Sequence, residues 1–200
     1  MVIIGLCGSS GAGKGYVSKA FEKYGVPSID TDRLYRETTV KKGTECLNEL
    51  VKAFGSEILT EDGELNRTKL ASIVFEGDGS RERLSRLNEI THRYIKIDTE
   101  ALLAKYAAEG KRAAIIDAPV LFESGFDKMC DITVSVIAPQ DVKIDRIVSR
   151  DGISKEKAKS RLNSQLSNEE LIALTTYTVD NSNCDIDSQI EQILKNEKII

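Results

Sequence analysis

Apolar and polar residues alternate along this chain in two rhythms, and the switches between them predict its elements. An apolar run from Val2 to Cys7 reads as a buried strand, and it gives way to Val17, Ala20, Phe21 and Tyr24 at i, i+3, i+4 and i+7, one face of an amphipathic helix. Gly25 and Pro27 stop that helix, and Val26 to Ile29 is a short second strand. A helical segment begins at Arg33-Leu34-Tyr35. Leu47, Leu50, Val51 and Phe54 keep helical spacing in the stretch from Thr44, which Gly55 ends. A polar turn from Thr60 to Glu64 leads into a helix starting at Asn66, with Leu70, Ile73 and Val74 inward, closed by Gly77-Asp78-Gly79. Leu84, Leu87, Ile90, Tyr94, Ile97, Ala101, Ala104 and Ala108 then form a long stripe, one helix or two in line, ending at Gly110.

Strands return in the second half. Arg112 to Asp117 is a near-continuous apolar strand of the kind buried in parallel sheets, and Ile132 to Ile137 is another. Pro139 opens a helix carrying Val142, Ile144, Ile147 and Val148. Tyr177 to Val179 is a last strand ended by Asp180-Asn181-Ser182-Asn183, and Ile186, Ile190, Ile193 and Leu194 mark a closing helix. Strands alternating with helices predict an α/β fold, a doubly wound parallel sheet flanked by helices. The helical block between the early and late strands is a natural place for an acceptor site.

Composition narrows the class. With 200 residues, 40% of them hydrophobic and 30% charged, the chain has room for one α/β domain and a small lid. A net charge of -4 argues against general nucleic-acid affinity. Cys7, Cys46, Cys130 and Cys184 are scattered, and there is a single histidine, so neither a zinc site nor a disulfide framework is indicated. The N-terminal apolar run lacks a charged flank and is too short for a signal peptide, and no stretch approaches a membrane span. These features predict a cytoplasmic protein with neither membrane nor nucleic acid as a partner; the expected assembly is a monomer or weak homo-oligomer, which none of these features derives.

Chemistry concentrates at Gly8-Ser9-Ser10-Gly11-Ala12-Gly13-Lys14-Gly15, between the first strand and the first helix. A turn of this kind aims backbone N–H groups at phosphate oxygens, the helix N-terminus adds partial positive charge, and Lys14 reaches the β- and γ-phosphates. The alternative for a lone glycine-rich turn is a flexible connection, but here the strand, the helix and the lysine are all in place. The motif normally closes with a Ser or Thr whose hydroxyl ligates magnesium; Gly15 stands there, followed by Tyr16. Asp30 and Asp32 follow the second strand. Asp30 suits a helix N-cap, whereas Asp32 is a candidate for the carboxylate that orients and deprotonates an attacking hydroxyl. Asp117, ending the third strand, can hold magnesium or its waters, with a turn cap as the alternative. The basic stretch from Lys155 to Arg161 reads as a solvated helical face, and Arg146 and Arg150, one turn apart, suit phosphate clamping.

Taken in order, the motifs resemble those of the dephospho-CoA kinases, over nearly the full length. The matching parts are Gly5-Leu6-x-Gly8 into the glycine-rich loop; Ile29-Asp30-Thr31-Asp32 with Arg36; Phe54-Gly55; Asp62-Gly63-x-Leu65-x-Arg67-x-x-Leu70; His92; Asp117-Ala118-Pro119-Val120-Leu121-Phe122-Glu123; Arg146 with Arg150; Gln165; and Asp180-Asn181. The Asp-x-Pro-x-Leu-Phe-Glu segment is the most specific of these and the loop the least. The resemblance implies a P-loop kinase with a core (1–40, 110–149 and 175–200), a helical acceptor-binding region at about 41–109 and a lid at about 150–174. It implies ATP and Mg2+ as cofactors, with ATP and dephospho-CoA as small-molecule partners. ATP would meet Gly8, Ser9, Ser10, Gly11, Ala12, Gly13, Lys14, Gly15, Tyr16, Arg146, Arg150 and Asn181; Lys14 and Asp32 would be catalytic; Arg36, His92, Phe122 and Glu123 would join Asp32 on the acceptor side. Without the resemblance, His92 reads as a surface helix-break residue and Phe122 as a core aromatic. Departures from the family pattern are Gly15 with Tyr16, Arg93 where proline generally follows the histidine, and Thr175-Thr176 where Ala-Asp is common. Alternatives are a P-loop kinase for another nucleoside or nucleotide, and a nucleotide-binding protein whose catalysis Gly15 has impaired.

Overall fold

A computed structural model describes residues 1–182 and 185–200, so Asn183 and Cys184 of the sequence reading lie outside the described residues. In chain order the elements are β1 (Val2–Cys7), α1 (Lys14–Glu22), β2 (Ser28–Asp30), α2 (Thr31–Leu34), α3 (Glu45–Phe54), α4 (Arg67–Phe75), α5 (Ser80–Ala108), β3 (Ala113–Asp117), β4 (Ile132–Ile137), α6 (Gln140–Asp151), α7 (Lys155–Asn163), α8 (Asn168–Leu174), β5 (Tyr177–Asp180) and α9 (Ile186–Asn196). A π-helical turn, Tyr35–Thr39, follows α2. The chain divides into two compact units, residues 1–30 with 103–200, and residues 31–102.

The first unit holds the sheet. Its strands pair in parallel in the order β2-β3-β1-β4-β5, with the glycine-rich loop leaving the central strand. Every residue of β3 is buried, as its unbroken apolar run requires. Ile4 and Leu6 of β1, Ile115 of β3 and Val134 and Val136 of β4 share a core with Val17 and Phe21 of α1 and Ile190, Ile193 and Leu194 of α9. The registers Leu6↔Asp117 and Asp30↔Asp117 bring the carboxyl ends of β1, β2 and β3 to one edge, where ligands of open α/β sheets bind. Ser154 and Ser167 cap α7 and α8 by accepting from the N–H groups of Lys157 and Glu170, and at Ser167 the Glu170 side chain accepts the reciprocal bond. Lys155, Lys157 and Lys159 are exposed, as the charge pattern of α7 predicts.

The second unit is helical. Leu50 and Phe54 of α3, Leu70 and Val74 of α4, and Ile90 of α5 form its core with Val40 and Ile58. Thr44 and Asn66 supply the N-caps of α3 and α4. The Thr60–Glu64 turn is closed by Thr60 N–H donating to Glu64 O at 2.8 Å.

Several elements differ from the pattern reading; α2 begins at Thr31 rather than Arg33, β3 at Ala113 rather than Arg112, and β5 runs on to Asp180. Helix α1 ends at Glu22, and Tyr24 follows it in a turn, although its ring still packs on the core. Strand β2 is Ser28–Asp30 rather than Val26 to Ile29; Pro27 has no N–H to give, and its carbonyl accepts from Ile115 at 2.8 Å. The long stripe is one helix, but beyond Tyr94 its buried face is Ile95, Thr99 and Leu103, while Ile97 is 52% exposed and Ala101, Ala104 and Ala108 are exposed. A repeat near 3.5 residues drifts around a 3.6-residue helix, and alanines are too small to hold it to one face.

Candidate active site

The glycine-rich loop is shaped by close backbone approach. Gly11 adopts φ 77°, and a Cβ there would lie 2.5 Å from Lys143 O and 2.9 Å from its Cα. Gly13 caps α1 at φ 96°, and a Cβ would run into Asn181 Nδ2. Backbone atoms cannot move aside as side-chain tips do, so glycine is required at Gly11 on two counts. Donors from elsewhere take up the loop carbonyls. Arg146 Nη1 donates to Gly11 O (3.1 Å) and Ala12 O (3.2 Å), its Nη2 donates to Asn181 O (3.1 Å), and Asn181 Nδ2 donates to Ala12 O (2.8 Å). With these carbonyls held, the N–H groups of Lys14 and Gly15 open α1 without intrahelical partners, at the positive end of its dipole.

Lys14 Nζ lies 2.6 Å from Asp117 Oδ1, with side-chain exposures of 18% and 11%. Strand pairing accounts for this meeting, because Asp117 sits opposite Leu6, two residues before the loop. The loop therefore combines helix N-terminal donors, a lysine ammonium and a strand-end carboxylate, a combination chemically suited to a phosphate chain and a hydrated cation. The thiol of Cys7, which ends β1, is pushed up to about 12 by burial despite Lys14 nearby, so it stays protonated and is no nucleophile.

Arg150 points to its neighbour rather than to the loop. Its Nε and Nη2 donate to Asp151 Oδ1 and Oδ2 at 2.7 and 3.0 Å, and Arg161 reaches Asp151 Oδ2 at 2.5 Å. The two guanidinium groups hold the Asp151 carboxyl far below the usual carboxylate range. Tyr16 is 64% exposed on the first turn of α1. Half-buried Phe122 and exposed Glu123 lie in the turn segment that follows Asp117.

In the helical unit, Asp32 is an exposed residue of α2, two residues beyond the end of β2. Arg36, one turn on, folds back so that its Nε donates to Asp32 O at 3.1 Å, and Arg67 Nη2 donates to Arg36 O at 3.3 Å. Burial and the nearby Lys96 lower the pKa of His92, so near neutral pH it is an uncharged imidazole that can still donate one hydrogen bond. Glu49 gathers Arg93, Tyr94 Oη (3.0 Å) and Arg86 (3.5 Å), beside a cavity of about 620 Å³ that Lys52 and Asn48 also line.

Sequence reading missed Glu49 and Lys143. Lys143 is buried one turn before Ile147 on α6, and that i, i+4 spacing was the available signal for a lysine on the inward face. Gln165 carried no assigned role, yet it meets the loop at Ser10. Among the described residues no group of three or more His, Cys, Asp or Glu side chains is placed to hold a metal. Magnesium is usually held by one or two carboxylates together with substrate phosphates and waters, and Asp117, at the end of β3 beside Lys14, is a carboxylate that could serve in this way.

The dephospho-CoA kinase family model matches residues 2–187. The dephospho-CoA kinase of Bacillus cereus (strain ATCC 10987 / NRS 248) is 35% identical over 201 residues, covering 100% of this chain and 98% of its own. Dephospho-CoA kinase CAB5 of Saccharomyces cerevisiae is 37% identical over 202 residues, covering 98% of this chain and 82% of its own. The solved structure of the dephospho-CoA kinase from Campylobacter jejuni shares the fold, with a TM-score of 0.69, 24% identity, and coverage of 98% of this chain and 96% of that one.

Proposed function

The chain belongs to the dephospho-CoA kinase family and transfers phosphate from ATP to dephospho-CoA in coenzyme A synthesis, and from that premise we propose how its residues do so. The loop amides and Lys14 hold the β- and γ-phosphates, and the Arg146–Asn181 brace keeps the loop carbonyls turned away from them. Asp32 accepts the proton of the 3′-hydroxyl and aims its oxygen in line with the γ-phosphorus; the O–P bond to ADP breaks as the new O–P bond forms. Such transfer is positioning and charge neutralisation rather than covalent chemistry on the protein.

Magnesium, when bound, neutralises phosphate charge. Asp117 and Asp32 would hold it through its waters, since Gly15 offers no hydroxyl. Arg36, His92, Phe122 and Glu123 face the acceptor in this reading; neutral His92 would hydrogen-bond ribose or phosphate, and Phe122 would stack. Residues 150–174 act as the lid, with a small apolar cluster of Ile147, Ala158 and Leu162 to support it, and 41–109 as the acceptor region. No helix of the described residues is long and apolar enough to cross a membrane. A cytoplasmic setting is supported by the free thiols of Cys7, Cys46 and Cys130.

One observation carries this reading: a braced glycine loop whose lysine meets a strand-end aspartate 2.6 Å away. The assay incubates purified protein with ATP, magnesium and dephospho-CoA and follows coenzyme A and ADP. Product formation supports the reading; ATP binding without product would favour a nucleotide-binding protein with impaired catalysis.

A further inference from the structure

Two attachments of the glycine loop are separate from both the Arg146–Asn181 brace and the Lys14 pair. Lys143, on α6, is 6% exposed, and its Nζ donates to Ser9 Oγ (3.1 Å) and Asn168 Oδ1 (2.9 Å). Asn168, the first residue of α8, donates through Nδ2 to Ala138 O at 3.0 Å. Gln165, in the turn between α7 and α8, brackets Ser10: its Oε1 accepts the Ser10 N–H at 2.9 Å and its Nε2 donates to Ser10 Oγ at 3.2 Å.

A buried ammonium is costly to keep and needs good hydrogen bonds. Burial lowers the pKa of Lys143, with Glu169 opposing, yet the acceptors it is given are a loop hydroxyl and an amide oxygen rather than a carboxylate. Replacing a buried charged group by a well-packed apolar one is often neutral or stabilising, so stability does not by itself call for a lysine at that position. What the ammonium gains is a fixed distance between Ser9 and Asn168. Gln165 fixes the adjacent residue, Ser10, in the same way, and the two ties end on the α7–α8 turn and on the first residue of α8, a junction whose geometry Ser167 already sets by capping that helix.

We propose that Lys143 and Gln165 are positioning residues for phosphate transfer: they fasten Ser9 and Ser10, the first limb of the glycine loop, to the α7–α8 turn and the first residue of α8, so that the loop meets ATP already in its binding shape. This rests on the reading that the loop binds ATP. A loop held in its bound conformation loses less freedom on binding, so the ties act on nucleotide affinity and leave the acceptor side untouched. They also make the loop sensitive to the position of the α7–α8 turn, which lies within the segment assigned as the lid.

The test uses the full chain with Lys143→Met, Gln165→Ala and the double variant. Calorimetry gives the ATP Kd, and steady-state kinetics varies each substrate in turn. Each single change removes two hydrogen bonds and is expected to raise Kd and KM for ATP about tenfold, with KM for dephospho-CoA unchanged. In the double variant the effect falls short of the product of the two, because both ties act on one limb. Unchanged ATP Kd in Gln165→Ala overturns the proposal, as does a parallel rise in KM for both substrates with a lowered Tm, the mark of general loosening. Should Lys143→Met fail to fold, Gln165→Ala, at an exposed side chain, decides alone. The ATP Kd is measured without acceptor, so a wild-type chain that binds ATP but forms no coenzyme A counts against the proposed function and leaves this test intact.

Discussion

Gly15 lies inside α1 and has open space where a side chain would begin: apart from its chain neighbours and the backbone of its own helix, no heavy atom lies within 4 Å of where a Cβ would sit. Serine therefore fits, and Gly15→Ser is expected to lower the magnesium concentration that gives half-maximal activity, by supplying the missing hydroxyl. An unchanged magnesium titration would show that the ion never relied on that position. Gly11 is the opposite case, since Gly11→Ala would press on the backbone of Lys143 and distort the loop. For Asp32 the expected signature is kinetic. Asp32→Asn should cut kcat by roughly 10²–10⁴, the range for a lost general base, and leave ATP affinity nearly intact. A collapse in ATP affinity with turnover preserved at saturation would remove Asp32 from the base role.

Helices α3, α4 and α5 are held by a core in which Leu50 and Ile90 are fully buried. Ile90→Ala is expected to destabilise the chain by about 2–5 kcal/mol, read as a lower urea midpoint. Lack of any shift would mean that α5 is not packed as described. This half of α5 was legible in the sequence because Leu84, Leu87, Ile90 and Tyr94 are large and regularly spaced. The other half was not: Ala101, Ala104 and Ala108 fit the repeat but carry too little surface to decide a face, and Thr99, polar by composition, is fully buried. The starts of α3 and α4 were also legible, since Thr44 and Asn66, where the pattern begins them, accept from N–H groups three residues on; the caps of α7 and α8 at Ser154 and Ser167 are findings of the structure.

Across the whole molecule the shifted titrations define a pH window. His92 has a folded pKa below its ordinary 6.5, so the unfolded chain binds more protons there and stability falls as pH drops through that value. Burial pushes the thiols of Cys7, Cys46 and Cys130 and the phenol of Tyr35 up to about 12 from 9.0 and 10.0. Above about pH 9 the unfolded chain gives up those protons first, and stability falls again. Tm is expected to be flat between about pH 6.5 and 9 and to decline on either side; a Tm that holds to pH 11 would contradict the buried thiols.

The sequence by itself determined the strands, the helices next to them, the phosphate loop and the family, because each of those is written in spacings of a few residues. Tertiary structure decided how the loop is held. Ser10 meets Gln165 from 155 positions away, Gly11 meets Arg146 from 135 and Ser9 meets Lys143 from 134. A hydrogen bond across such a span leaves no periodic trace in the chain; it exists only once the parallel sheet has set β1 beside β4 and so brought α6 and the turn after α7 against the loop.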